Sequence, residues 1–251
     1  SLYKICNGNL MFHACVPLNA DGSLMETEVF GETYKGRALY DVMERYVRAA
    51  FDDANPELAK RGRDLLWYMW LGEGSPLFAK SKMATFELYL IAEKEARKEV
   101  KNSFYSYLDD ERVMGGIFED FGMDPETSRI VCGHVPVKVK DGEDPVKCGG
   151  RVLTIDGGFS KAYQPTTGIA GYTLISNSYG FVLAAHEPLE SAQAAVEREL
   201  DIHSSRSVVE QPDKRTLVAD TDTGAELKRQ IAELERLLRA YRTGEIAEGA
   251  N

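Results

Sequence analysis

Two of the four histidines stand in similar sequence settings, each at the end of a short apolar run and shortly before Val-Pro. His13 lies in NLMFHACVP (9–17), and His134 lies in IVCGHVPV (130–137). Imidazole is the commonest side-chain metal ligand, and it binds metals in its neutral form. Two such residues delivered to one place would form half of a metal site. The pattern alone also fits ordinary hydrogen-bonded histidines, because no HxH, HExxH or carboxylate at ligand spacing accompanies them.

The elements that must position these histidines read as strands. We predict strands over 9–13 and 129–133, and ligand-binding groups collect at the carboxyl ends of strands in α/β folds. Gly133 allows a close backbone approach beside His134. Periodicity and turn signals also predict helices over 38–54, 56–70, 83–98, 109–121, 189–200 and 224–242, and strands over 136–140, 151–156, 171–177 and 180–186.

The ends of these elements carry their own signals. Residues 18–34 read as a polar, turn-rich segment, and Gly122 fits the position after a helix. NSYG, between the last two strands, predicts a hairpin turn slightly longer than the tightest type. Asp222 or Thr223 can cap the C-terminal helix.

Composition excludes several functional classes. The 251-residue chain has a net charge of −10, which argues against nucleic acid as a partner. No apolar run approaches the roughly 18 residues of a membrane span, and no signal-peptide pattern is visible. We therefore expect a cytoplasmic protein with no membrane partner. The four cysteines lack CxxC spacing, so a zinc ribbon is not predicted, and we expect Cys15 and Cys132 to be plain buried thiols.

Several long segments carry a family resemblance. The two histidine strand ends resemble those of the calcineurin-like metallophosphatases, and longer segments are similar to one branch, the class III fructose-1,6-bisphosphatases. The resemblance extends from about residue 2 to residue 245. Its segments are WYMWLGEGSPLFAKSKMATFELYLIA (67–92), GHVPVKVKDGEDPVK (133–147), IDGGFSKAYQ (155–164) and VADTDTGAELKRQIAELERLL (218–238).

The resemblance implies a fold as well. It is α/β with mixed α+β character, the C-terminal part of a metallophosphatase β-sandwich flanked by helices. All of residues 1–251 would belong to that part, including a large helical insertion at 35–125 and the C-terminal helix at 224–242. An incomplete sandwich exposes apolar surface, so we expect a homo-oligomer or association with a missing N-terminal part.

The implied activity is hydrolysis of the 1-phosphate of fructose 1,6-bisphosphate, a gluconeogenic reaction. Two divalent ions, commonly manganese, activate the attacking water in such enzymes. The resemblance makes His13 and His134 ligands of one metal. The superfamily's upstream motifs, Asp-x-His, Gly-Asp-x-x-Asp-Arg and Gly-Asn-His-Asp, are not found ahead of His13. We therefore expect catalytic residues upstream and no activity from this chain alone.

A bisphosphate substrate also needs cations for its second phosphate. Lys161 is the first candidate, because its loop follows a strand on the proposed active face; each candidate also fits a solvated surface lysine. The other candidates are Lys80, Lys82, Lys138 and Lys140. Asp156 could orient a metal-bound histidine, with Gly157 and Gly158 permitting close approach, or this segment could be a plain tight turn.

Other residues leave alternatives open. Trp67, Trp70, Phe78 and Phe86 fit either core packing or a lid over the sugar. His186 is expected to be structural and His203 to lie at the surface. In the C-terminal helix, a stripe formed by Leu227, Ile231, Leu234, Leu237 and Leu238 fits packing on the parent fold or a partner, or a coiled-coil seam.

Two alternative functions remain. The chain could be an oligomerisation or regulatory module, in which the histidines are structural. It could also belong to a metallophosphatase that acts on a phosphoprotein or a nucleotide. The upstream gene sequence separates enzyme from module, and a substrate assay separates the phosphatases.

Overall fold

In the computed structural model of the chain, a five-stranded sheet carries both strand ends with a candidate histidine. The described residues are 1–51, 54–158, 160–188 and 203–246, together with residues 191, 193, 196, 197 and 199. The chain divides into two compact units. One is Ser1–Leu174 with Leu183–Ser207, and the other is Ile175–Val182 with Val208–Asn251.

The five-stranded sheet has the order β1-β2-β5-β7-β6. Its strands are β1 (Tyr3–Cys6), β2 (Asn9–Phe12), β5 (Arg129–Cys132), β6 (Val146–Lys147) and β7 (Val152–Thr154). β2, β5 and β7 are parallel, whereas β1 and β6 pair antiparallel at the two edges. Leu10 pairs with Ile130, and Ile130 pairs with Val152. The carboxyl ends of the three parallel strands therefore meet at one edge of the sheet.

Two smaller sheets complete the strand content of the described residues. β3 (Thr27–Val29) and β4 (Glu32–Tyr34) form a hairpin. β8 (Gly171–Asn177), β9 (Gly180–His186) and β10 (Ser204–Glu210) form a three-stranded sheet in the order β10-β9-β8. Only Ser178 and Tyr179 separate β8 from β9.

Some of the α-helices begin at a residue whose side chain caps them. Asn55 accepts from the Leu58 amide at the start of α2, and Asp110 accepts from the Val113 amide at the start of α4. The α-helices are α1 (Gly36–Ala49), α2 (Pro56–Leu71), α3 (Phe86–Leu90), α4 (Glu111–Asp120), α5 (Gln164–Thr167) and α6 (Asp222–Thr243). Short 3-10 helices occupy Glu95–Arg97, Ser103–Ser106, Val139–Asp141, Cys148–Gly150 and Val218–Asp220.

One apolar cluster supports the sheet that carries the histidines. Phe12 of β2 contacts Phe104, with ring centroids 5.8 Å apart, and Tyr40 of α1 packs edge-on against Phe121. The cluster also contains Leu10, Cys15, Val16, Met114, Ile117, Phe118, Ile130, Cys132 and Val152, all of them buried. The predicted burial of Cys15 and Cys132 is confirmed, because both free thiols belong to this core.

The mixed α/β class is confirmed, and several element boundaries agree with prediction. β8 and β9 match 171–177 and 180–186, and the positive φ of Gly122 (72°) fits the predicted position after α4. The predicted helix over 189–200 falls mainly outside the described residues. In the described part of the chain, no helix combines the length and apolar character needed to cross a bilayer.

Other predicted elements are wrong. Residues 136–140 do not form a strand, because Pro136 has no amide hydrogen to donate and Val139–Asp141 turns into a 3-10 helix. The helix predicted over 83–98 is reduced to α3 and the turn at Glu95–Arg97. Phe86 and Leu90 of α3 are exposed, and a short helix without a packed face is marginal.

Shorter strands and caps were also missed. The segment 18–34 contains the β3–β4 hairpin, and β1, β6 and β10 were not predicted. The β8–β9 turn has two residues, so it is tighter than NSYG suggested. α6 is capped by Thr221, which accepts from the Gly224 amide, instead of by Asp222 or Thr223.

The aromatic residues of the helical region divide between core and surface. Phe78 is buried, as core packing predicts. Trp67 and Trp70 are 66% and 65% exposed and contact each other, with ring centroids 6.0 Å apart. Core packing is therefore wrong for Trp67, Trp70 and Phe86, and the lid interpretation stays a prediction.

Two helical glycines provide a matched test of the packing of α1 on α2. A Cβ on Gly62 of α2 would lie 2.3 Å from the Tyr46 carbonyl oxygen of α1, whereas a Cβ on Gly116 of α4 meets nothing within 4 Å. We expect Gly62→Ala to lower the free energy of unfolding by about 1–3 kcal/mol. Gly116→Ala should raise it by about 0.5–1 kcal/mol. Urea unfolding measures the free-energy change in both variants. Equal changes in the two variants would contradict the close approach of α1 to Gly62.

Candidate metal centre

The parallel strands β2 and β5 deliver His13 and His134 to the same point. The Gly133 amide donates to the His13 carbonyl oxygen at 2.9 Å, which extends the β2–β5 pairing past the strand ends. His13 Nε2 lies 3.0 Å from His134 Nδ1, and the rings meet edge to face with centroids 4.8 Å apart. The two histidines singled out in the sequence are therefore direct neighbours.

The backbone at His134 is strained. Its φ is 67°, and the Val135 amide donates to the Gly133 carbonyl oxygen at 2.8 Å. This three-residue hydrogen bond around a positive φ describes the less common form of the γ-turn. Such strain in a residue other than glycine persists only where the surrounding structure imposes it, and it clusters at functional sites.

The ring of His134 is held by a main-chain carbonyl. His134 Nε2 lies 3.0 Å from the carbonyl oxygen of Phe78. A carbonyl oxygen can only accept, so Nε2 carries the proton and Nδ1 presents its lone pair to His13. Burial lowers the pKa of His134, and the nearby imidazole of His13 lowers it further. Both effects favour the neutral ring, which is the form that binds metals.

The Phe78 carbonyl belongs to a loop that follows α2 and is tied down on both sides. The Pro76 carbonyl oxygen accepts from the Cys15 amide at 3.2 Å, just beyond β2. The Ala79 carbonyl oxygen accepts from the Asn102 amide at 2.8 Å, and Ala79 itself has a φ of 56°. Because the loop is fixed, the acceptor for His134 is fixed with it.

Asp156 lies at the end of β7, the next parallel strand. Its carboxylate accepts from the Gly158 amide at 2.8 Å, and its carbonyl oxygen accepts from the Val137 amide at 2.7 Å. Its negative charge acts to raise the pKa of His134, against the stronger effect of burial. The side chain is thus near the histidine pair, while the hydrogen bond described for it closes its own turn.

Tyr105 is a neighbour that the sequence reading missed. Its hydroxyl donates to the Ala14 carbonyl oxygen at 3.1 Å, one residue beyond His13. Burial raises its pKa, and the thiols of Cys15 and Cys132 and the carboxylate of Asp156 raise it further. Neither this tyrosine nor the Phe78 carbonyl carries a sequence signal, since Tyr105 stands in an aromatic run that matches no motif and the Phe78 carbonyl is main chain.

The candidate lysines are dispersed. Lys80 pairs with Glu99, with Nζ 2.6 Å from Oε2, and its charge lowers the pKa of His134. Lys82 Nζ donates to the Ala96 carbonyl oxygen at 2.5 Å. The remaining three lie elsewhere on the surface: Lys138 faces Asp141 at 3.7 Å, Lys140 donates to the Pro165 carbonyl oxygen at 2.6 Å, and Lys161 is exposed. Among the five candidate lysines, Lys80 is therefore the one whose charge acts on His134.

The other two histidines belong to a different place. His186 Nε2 lies 2.8 Å from Thr173 Oγ1, and its Nδ1 lies 2.7 Å from Ser204 Oγ. Both ring nitrogens are thus engaged within the three-stranded sheet, and a structural role for His186 stays a prediction. His203 is exposed, as predicted.

The pair has the chemistry of two ligands of one ion. Two nitrogens bound tetrahedrally at zinc distances lie about 3.3 Å apart, close to the observed 3.0 Å. A ring nitrogen fixed by a backbone carbonyl, as in His134, is the usual support of a metal-bound histidine. Among the described residues, however, no group of three or more histidine, cysteine or acidic side chains could hold a metal.

The tautomer of His134 can be measured directly. Because the Phe78 carbonyl can only accept, we expect the His134 proton on Nε2, and the same in His13→Ala. Long-range ¹H–¹⁵N correlation spectra of the imidazole rings report which nitrogen is protonated. A proton on Nδ1 of His134 would contradict the geometry on which the site depends.

Comparison with known proteins identifies the family. The family described as Firmicute fructose-1,6-bisphosphatase matches residues 1–243. Class 3 fructose-1,6-bisphosphatases of Clostridium botulinum (strain Langeland) and Clostridium tetani are each 51% identical to the chain, over 249 and 251 residues. These matches cover 99% of this chain but 37% and 38% of the relatives' lengths. No solved structure matches significantly. The chain belongs to the Firmicute fructose-1,6-bisphosphatase family.

Proposed function

We propose that this chain is the portion of a fructose-1,6-bisphosphatase that supplies two imidazole ligands to a catalytic metal. The observation that carries the proposal is the 3.0 Å approach of His13 Nε2 to His134 Nδ1 at the ends of parallel strands. Membership of the family supports the same reading. The proposed reaction is hydrolysis of the 1-phosphate of fructose 1,6-bisphosphate, and a cytoplasmic role in sugar metabolism is part of the proposal.

In this proposal, His13 binds the metal through Nε2 and His134 binds it through Nδ1. Both nitrogens share the hydrogen bond between the rings, so binding would replace that bond and would require the proton of neutral His13 to move from Nε2 to Nδ1. The Phe78 carbonyl keeps the proton of His134 on Nε2 and so keeps Nδ1 free to bind. The negative charge of Asp156 acts to raise the pKa of His134, and we propose that it strengthens the binding of a cation by the two histidines.

The bound metal would polarise the substrate phosphate and lower the pKa of a coordinated water. Manganese and a dinuclear centre of the calcineurin-like type are part of the proposal. With two ligands in this chain, the remaining ligands and the proton donor for the leaving sugar oxygen would come from the rest of the longer protein, and the helical region 35–125 would be an insertion between ligand strands.

Lys80 is the cation that the proposal assigns to the substrate's second phosphate. Its side chain is about one-third exposed, its ammonium pairs with Glu99 at 2.6 Å, and its charge lowers the pKa of His134. A phosphate that approached would compete with Glu99 for this ammonium. Lys161, Lys82 and Lys138 remain weaker candidates, because no described contact connects them with the histidine pair.

Phosphate release tests the proposal at two levels. The chain spans little more than a third of the relatives' length. We therefore expect no manganese-dependent phosphate release from fructose 1,6-bisphosphate by the 251-residue chain. In a polypeptide of the relatives' full length that includes this chain, His13→Ala or His134→Ala should lower activity by about 100-fold or more. His186→Ala, on the three-stranded sheet, is the matched control and should retain activity.

Opposite results would reject the proposal. Substantial activity of the chain alone would mean that it holds a complete site. Unchanged activity of His13→Ala in the longer polypeptide would make the histidine pair structural, as expected of an oligomerisation module. Preference for a phosphopeptide or a nucleotide over the sugar bisphosphate would keep the metal site and change the substrate.

A further inference from the structure

The C-terminal helix α6 carries an apolar stripe that the described residues leave uncovered. Its members recur at alternating spacings of four and three residues: Leu227, Ile231, Leu234, Leu238 and Tyr241. Each is between 42% and 64% exposed. At 100° per residue these positions stay within a narrow band along the helix, with Leu237 beside it. A ladder of large apolar side chains on one face of a helix is costly to leave in water.

The charged side chains on the opposite face of α6 pair with one another within the helix. Arg229 forms ion pairs with Glu226, at 2.6 Å, and with Glu233 one turn further along. The helix is also fixed at both ends, since Thr221 caps its start and Gly244 ends it in the left-handed conformation. α6 is thus a well-defined helix with one charged face and one face suited to a partner.

We propose that this stripe, Leu227 to Tyr241, pairs with the same stripe of a second copy of the chain, in antiparallel orientation. The spacing places apolar residues at the two seam positions of a coiled coil, with Ile231 and Leu238 at one and Leu227, Leu234 and Tyr241 at the other. Such a seam is self-complementary, so an identical helix fits it without any further adaptation.

Two charges beside the seam select the orientation and the register. Lys228 and Glu235 flank the stripe on the same edge, one heptad apart. In an antiparallel pair this edge faces the same edge of the other helix. When Ile231 lies opposite the partner's Leu234, Lys228 lies opposite the partner's Glu235, and two-fold symmetry repeats the pair.

The competing arrangements lack this charge match. In a parallel pair, the edge that carries Gln230 and Leu237 faces the partner's edge that carries Lys228 and Glu235. No opposite-charge pair forms there. An antiparallel register shifted by one heptad places Lys228 near the partner's Arg242 and Glu235 near the partner's Glu235. Both contacts join like charges and are repulsive. Lys228 now donates to the Ala219 carbonyl oxygen at 2.8 Å, and an ammonium retains further donors for a carboxylate.

The seam has fewer than three heptads, so the association should be weak and dependent on concentration. Sedimentation equilibrium of the 251-residue chain over a range of concentrations should show a monomer–dimer equilibrium. Ile231→Asp should abolish the dimer. Lys228→Glu and Glu235→Lys should each weaken it by about tenfold, because each converts two attractive contacts into repulsive ones.

Exchanging the charges at positions 228 and 235 tests the proposed pairing most directly. The double variant Lys228→Glu/Glu235→Lys should recover the dimer, and so should an equimolar mixture of the two single variants. Arg236→Glu is the matched control, because it reverses a charge on the face opposite the seam. Circular dichroism of each variant checks that α6 remains helical.

Two results would overturn the proposal. A chain that stays monomeric at every concentration would leave the stripe to another part of the longer polypeptide. A dimer that is indifferent to Ile231→Asp, or whose charge variants are not rescued by exchange, would place the contact elsewhere or in another orientation.

Discussion

The parallel pairing of β2 with β5 is the constraint on which the histidine site depends. The register that pairs Leu10 with Ile130 places the two strand ends side by side, although 121 positions of sequence separate His13 from His134. The Gly133 amide then bonds to the His13 carbonyl, so the alignment persists to the residues that carry the imidazoles. A slip of one residue would send one imidazole to the opposite face of the sheet.

The helical region contributes to the site through main-chain contacts. α1 and α2 pack through Gly62, the loop after α2 is tied to Cys15 and Asn102, and its Phe78 carbonyl selects the proton position of His134. A carbonyl sets the tautomer without adding a charge that would compete with a metal. The strained turn at His134 shows that this arrangement is imposed by the surrounding structure, since an isolated chain would avoid it.

Much of this site could be read from the sequence, because strand ends are marked by local patterns. Apolar runs that stop at His13 and at Gly133-His134 identified both ligand candidates and their common edge. Contacts that depend on tertiary position were not readable: the Phe78 carbonyl is main chain, and Tyr105 reaches Ala14 across 91 positions. Periodicity likewise predicted an amphipathic helix over 83–98, but it could not show that no described core receives Phe86 and Leu90.

The most direct test of the account is whether a metal binds through both imidazoles. Electron spin-echo spectroscopy of Mn²⁺, with the chain in excess, detects the nitrogen of a coordinated imidazole. The account predicts a nitrogen signal that weakens in His13→Ala and in His134→Ala, disappears in the double variant, and is unchanged in His186→Ala. A nitrogen signal that survives the double variant, or no nitrogen coordination in the unaltered chain, would contradict the assignment of His13 and His134 as metal ligands.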